Sequence, residues 1–168
     1  MVTVSEVASV GIGNRRIANI LFNIATILDL AEDNIYRVRA YRHAARRILA
    51  LREDAAAILA RGEELPLEGV GKRVRVKLAE LITSGRLAFY EDLLEDQPEH
   101  IRALMAVEGI GPKTAQRLYA GLGVRTVGDL IAAAERQQVQ TLFGFGKVRE
   151  ASLAQAARTV GGRLAQVA

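Results

Sequence analysis

One short phrase occurs three times in this chain, and it restricts the available folds more than any bulk property. It reads Leu67-Glu68-Gly69-Val70-Gly71-Lys72, then Val107-Glu108-Gly109-Ile110-Gly111-Pro112-Lys113, then Leu142-Phe143-Gly144-Phe145-Gly146-Lys147. The order is apolar residue, any residue, Gly, apolar residue, Gly, with a Lys within two positions. Each copy leads into a stretch whose apolar residues recur at helical spacing. Glycines let the main chain bend tightly and approach a ligand closely. A helix starting directly afterwards offers unpaired N–H groups and the positive end of its dipole. The lysine adds a mobile charge. Such a device grips an anion, and its repetition points to a polyanion, nucleic acid. A lone Gly-x-Gly before a helix would be read only as a turn. Gly11-Ile12-Gly13-Asn14-Arg15 has the outline of a degenerate fourth copy, but only ten residues precede it, too few for a good leading helix, so it is not counted with the three.

Half of the 168 residues are hydrophobic, so a substantial core can form. Ala, Leu and Arg dominate, Trp is absent and Pro is rare, a composition that favours helices. No apolar run reaches the ~18 residues of a membrane span. Without cysteine there is neither a disulfide framework nor a thiolate metal site, and His43 and His100 alone cannot build a metal cluster. A cytoplasmic protein with no side-chain metal site is the expectation. Residues 97–168 carry 9 basic and 5 acidic side chains, whereas residues 1–96 carry 14 of each. The first half is polarised all the same. Arg37, Arg39, Arg42, Arg46 and Arg47 share a stretch without acids, as do Lys72, Arg73, Arg75 and Lys77. Segregation of this kind predicts a basic face along a phosphate backbone.

Helical periodicity and caps divide the chain. Asn14 is expected to cap a helix through about Leu30 that buries Ile17, Ile20, Leu21, Ile24 and Leu28. Asp33 or Asn34 is expected to cap a second helix through about Leu51, burying Val38, Tyr41, Ala45, Ile48 and Leu49. Short helices are predicted at 54–60 and 87–94, with a longer one from Lys72 to Ser84 stopped by Gly85. Further helices are predicted near 99–107, 112–122, 126–137 and 147–159. Asp96-Gln97-Pro98 marks the boundary between a domain at 1–96 and another at 97–168. No stretch alternates convincingly, so the prediction is all-α: two small helical subdomains built from helix-hairpin-helix units.

In each hairpin the glycines can take positive φ and the apolar residue between them plugs the core. The amides of the bend and of the next helix's first turn then form an anion nest. The predicted phosphate-binding set is Gly69, Gly71, Lys72 and Arg73, then Gly109, Gly111 and Lys113, then Gly144, Gly146 and Lys147. Amides contact phosphate rather than base, so binding should ignore sequence. With about two phosphates per hairpin, log K should fall against log salt with a slope of roughly −5. Phe145 is read as the plug of the third hairpin and Phe143 as packed against its subdomain. Tyr41 is read as a core aromatic with its hydroxyl at the rim, and both histidines as surface residues.

Arg39-Ala40-Tyr41-Arg42-His43-Ala44-Ala45, about thirty residues before the first hairpin, resembles the family X DNA polymerases, the group that contains DNA polymerase beta. The second and third hairpins continue the likeness, which covers roughly residues 14–160. The resemblance implies the amino-terminal lyase-type domain plus the adjacent hairpin domain, parts that grip DNA on either side of a short gap during base excision repair. It implies Lys77 as the Schiff-base nucleophile of 5′-deoxyribose-phosphate removal, and Arg37, Tyr41, Arg42 and Arg73 around the 5′-phosphate. It also implies a monovalent cation at a hairpin. Tyr36 stands where the polymerase beta pattern has a phosphate-binding histidine, Phe89 replaces a supporting lysine, and Glu68 replaces a proline. No Asp-x-Asp occurs for two-metal nucleotidyl transfer. The expectation is a chain without polymerase or nuclease activity, part of a larger enzyme or a stand-alone counterpart of its DNA-binding end. An architectural protein-interaction module is the reading from another class.

Overall fold

The computed structural model describes residues 12–167, and every regular element among them is helical. The helices are α1 (Asn14–Leu30), α2 (Ile35–Leu49), α3 (Ala55–Ala60), α4 (Lys72–Ser84), α5 (Ala88–Glu95), α6 (Glu99–Met105), α7 (Pro112–Leu122), α8 (Val127–Glu135) and α9 (Lys147–Val167). The chain divides into two compact units after Asp92, within α5. Sequence punctuation places this boundary later, at the Asp96-Gln97-Pro98 break.

In the first unit α1 packs along α2. Ile17, Leu21, Ile24 and Leu28 are buried as the periodicity predicts, whereas Ile20 sits at the edge. Ala18, Ala25 and Ile27 widen the stripe. On α2, Val38, Tyr41, Ala45 and Ile48 face the core and Ala44 joins them. Leu49 does not: it lies about 100° around the helix from Ile48 and is 51% exposed. Asn34 caps α2, its side chain accepting the Tyr36 N–H. Asn14 acts differently from expectation. It is the first residue of α1, and its amide instead ties down the start of α3, accepting the Ala55 N–H at 2.8 Å and donating to the Glu53 carbonyl at 2.9 Å. The positive φ of Gly85 ends α4.

The second unit has one core, in which Ile101, Leu104, Val107, Ile110, Leu118, Leu130, Phe145 and Leu153 meet. Thr126 and Asp129 form a capping box at α8: the Thr126 hydroxyl accepts the Asp129 N–H, and the Asp129 carboxylate accepts the Thr126 N–H. A single 3-10 turn at Val139–Thr141, missed in the sequence, leads into the third hairpin. α9 continues past the expected end at Thr159, through Gly161 and Gly162.

Candidate nucleic-acid interface

The three repeats fold into the same bend. The plug residue's N–H donates to the carbonyl three residues back in each: Val70 to Leu67 at 3.2 Å, Ile110 to Val107 at 3.1 Å, Phe145 to Leu142 at 3.0 Å. The third position of such a turn needs positive φ, and Gly69, Gly109 and Gly144 supply it at 72°, 87° and 77°. The plugs are buried at 7%, 3% and 3% exposure. The second glycines are different from what the sequence suggested. Gly71 and Gly111 lie in extended backbone, φ −68° and −93°, as the caps of α4 and α7. Gly146 is likewise outside the positive-φ region. Any residue adopts such angles. A Cβ added at Gly71 or Gly146 would meet nothing within 4 Å. The glycines of the bends, with Lys72, Arg73, Lys113 and Lys147, are at or near the surface. Pro112 at the first position of α7 gives the second hairpin one N–H fewer than the first. In the degenerate fourth copy Gly13 caps α1 with φ −67° and ψ 155°, matching Gly71, and Ile12 is buried; Gly11 lies outside the described residues.

What braces each bend varies. Five residues after the plug stand Arg75, Ala115 and Glu150. Arg75 turns inward: Nε donates to the Val70 carbonyl at 2.9 Å, Nη1 to the Leu65 carbonyl at 3.0 Å, and Nη2 to the Leu67 carbonyl. It stiffens the first hairpin rather than joining the basic face. His43, expected to be a plain surface residue, donates from Nε2 to the Glu68 carbonyl at 2.8 Å. A Cβ on Gly69 would meet that same nitrogen at 3.0 Å. Ala115 is a buried methyl. Glu150 is buried and accepts the Gln140 N–H at 3.0 Å, fastening the 3-10 turn to α9.

The third hairpin collects cations that sequence reading overlooked. The Arg117 guanidinium donates to the Phe143 carbonyl and lies 4.8 Å from the Phe145 ring centroid. Arg149 lies over the same ring at 4.4 Å. Both arginines and Lys147 are exposed. Phe143 is not packed as expected. Its side chain projects outward, 93% exposed, and Val148 nearby is 86% exposed. Apolar character hid this, but the alignment of the repeats carries the signal: the residue before the first glycine points away from the core in every copy, as exposed Glu68 and Glu108 do.

Lys77, Arg37 and Tyr41 come together around Phe89. Lys77 Nζ is 4.1 Å from the ring centroid, the Arg37 guanidinium 5.9 Å, and the Tyr41 ring stacks at 6.0 Å. Burial pushes the Tyr41 hydroxyl's pKa up, opposed by the charge of Arg37. Arg42 is engaged elsewhere, with Asp29 at 2.8 Å, and Arg37 also pairs with Asp33 at 2.6 Å. The acid-free arginine stretch is therefore partly neutralised in space by carboxylates from the α1–α2 corner. Arg73 is exposed on α4, one turn before Lys77.

A helix-hairpin-helix domain model matches residues 12–87, and a SAM-like helix-hairpin-helix tandem model matches residues 101–159. The DNA polymerase/3′-5′ exonuclease PolX of Bacillus subtilis (strain 168) is 35% identical over 140 residues, which are 83% of this chain and 24% of that protein. The chain belongs to the helix-hairpin-helix part of the family X DNA polymerases. It spans about a quarter of the length of that family X relative.

Two departures from the family X pattern acquire a structural meaning. Tyr36, at the histidine position, is 74% exposed. Phe89, at the lysine position, replaces a charge with a ring face that attracts cations, and it is the group that gathers Lys77 and Arg37. The monovalent cation implied for a family X hairpin would need oxygen ligands. At the first hairpin the carbonyls of Leu65, Leu67 and Val70 are already taken by Arg75, so the residues there do not fit one. Among the described residues no helix is long and apolar enough to cross a membrane.

Proposed function

We propose that this chain binds the sugar–phosphate backbone of DNA without regard to sequence, and that its target is a gapped or nicked repair intermediate. The observation that carries the reading is the pair Gly71 and Gly146. Neither needs positive φ and neither has a neighbour within 4 Å, so folding does not explain the missing side chain. Close approach of a ligand to the amides at a helix start explains it. Kinship with a DNA polymerase supports DNA as the polyanion.

The test is a binding titration against intact, nicked and gapped duplex at several salt concentrations. The expected slope of log K against log salt is about −5 on duplex, with preference for a gap bearing a 5′-phosphate. A slope near zero removes the phosphate reading. Equal affinity for intact and gapped duplex removes the repair-intermediate half. The second and third hairpins, where Ala115 and Glu150 hold the place of Arg75, are left to take the monovalent cation that the resemblance implies.

The grouping of Lys77, Arg37 and Tyr41 around Phe89 favours a second reading, removal of a 5′-deoxyribose phosphate through a Lys77 Schiff base. A neutral amine attacks the C1′ aldehyde and water leaves; the imine then loses a C2′ proton, the C3′–O bond breaks so that the phosphate ending the DNA strand departs, and water hydrolyses the imine to release the sugar and regenerate Lys77. Borohydride trapping on an incised abasic duplex decides it. An adduct lost in Lys77→Ala supports the lyase, and no adduct leaves Lys77 as a phosphate contact.

A further inference from the structure

The third hairpin presents an aromatic ring where the other two present carboxylates. Phe143, Glu68 and Glu108 occupy the same place in the repeat and all three are exposed. A phenylalanine left in water forgoes the stability its burial would bring, and nothing in the second unit covers this one. Its carbonyl is fixed by Arg117, so the main chain that carries the ring is held in place. Arg117, Lys147 and Arg149, all exposed, surround the turn with positive charge. An exposed ring bordered by cations is the combination that captures single-stranded nucleic acid: the ring stacks on a base while the charges follow its phosphates.

We propose that Phe143 is a stacking platform for an unpaired nucleobase and directs the third hairpin to the single-stranded part of a gapped duplex. The inference rests on the phosphate-binding reading and deepens it. In intact duplex every base is paired and both its faces are covered by neighbours, so the ring finds no partner there. A base opposite a gap has lost its pairing partner and swings out of the stack at lower cost, which frees a face for the ring. The cationic border favours a polyanion over an apolar protein surface as the occupant. Phe143 thereby supplies a preference for DNA structure that main-chain amides cannot, since they meet the same phosphates in either substrate.

The experiment uses the full chain, duplex DNA, and the same duplex carrying a one-nucleotide gap with 2-aminopurine opposite the gap. Wild type should change the 2-aminopurine emission and favour the gapped substrate. Phe143→Ala should abolish the emission change and reduce the gapped-to-intact preference by ~5- to 150-fold, the value of one base–aromatic stack. Affinity for intact duplex and the salt slope should stay unchanged, because no charge is removed. Phe143→Trp should retain both signals. The ring is exposed, so the melting temperature of Phe143→Ala should match wild type and exclude misfolding. A Phe143→Ala variant that keeps the preference and the emission change overturns the proposal while leaving phosphate binding intact. Loss of self-association in that variant, with DNA binding unaltered, overturns it in favour of a protein contact. Wild type that binds no DNA overturns this proposal together with the phosphate reading.

Discussion

The first and third hairpins share one bend and differ in almost everything attached to it. Each has a left-handed glycine, a buried plug and the same turn hydrogen bond. The first is braced by a cation, Arg75, whose guanidinium spans three carbonyls. The third is braced by an anion, Glu150, which reaches a neighbouring turn instead. The first shows a carboxylate at its tip and the third a phenyl ring. The bend is thus specified by five or so residues, while stiffness and surface chemistry come from side chains outside the repeated phrase. Repeats can keep a shape and diverge in what they contact.

Removing the brace should have the largest effect. Arg75→Ala leaves three carbonyls without their charged donor, and hydrogen bonds to charged groups are each worth ~1.5–3 kcal/mol. Partial exposure reduces this, so a loss of about 2–4 kcal/mol is expected in urea unfolding, with Arg75→Lys intermediate. A loss below about 1 kcal/mol would make the guanidinium ornamental. Glu150→Gln keeps an acceptor for the Gln140 N–H and should be milder than Arg75→Ala, which contrasts the two braces directly.

The two glycines of one hairpin should separate fold from function. Gly69→Ala places a Cβ at φ 72°, against His43, and should cost ~1–2 kcal/mol. Gly71→Ala is compatible with its backbone angles, and a weaker cap offsets a less flexible unfolded chain to within about 1 kcal/mol. It should nevertheless weaken DNA binding. Equal binding by Gly71→Ala and wild type would sink the amide-nest argument, whatever the stability data say.

A smaller effect is expected away from the hairpins. The Asp129 carboxyl is held below the usual carboxylate range by the N–H groups of Arg125 and Thr126. Because the folded-state value is depressed, the stability it contributes is present above the unfolded carboxylate pKa of ~3.9 and is lost as pH falls through the folded value. Asp129→Asn should therefore cost about 1 kcal/mol near neutrality, the usual scale for a cap. Its acid-unfolding curve should converge with wild type at the lowest pH. Curves that stay parallel would show that the box is held by something other than the carboxylate.

The parts of this fold that read well from sequence are local. Helix starts at Lys72 and Pro112 follow from the Gly-x-Gly bend that precedes each, and Gly85 and Gly123 end helices through positive φ. Burial of Val70, Ile110 and Phe145 follows from their place between two glycines. Three of the misreadings involve a partner beyond the local helical turn. Arg42 meets Asp29 across a helix corner, Asn14 caps α3 from the start of α1, and Arg75 bends back onto a loop that precedes it. Periodicity tells which face of a helix a side chain occupies, not which atoms wait there. Phe143 was misjudged because hydrophobicity argues for burial, while the turn's geometry sends that position outward.

Arg117 gives the second unit a property of its own. It is rooted in α7, the helix that the second hairpin begins, and its guanidinium clasps the turn of the third. The distance between the two bends is therefore set by a side chain as well as by the core, like the opening of a caliper. If both bends hold phosphates as proposed, a strand whose successive contact points match that opening would be clasped at both ends at once, and a strand bent or stretched away from it would lose one jaw.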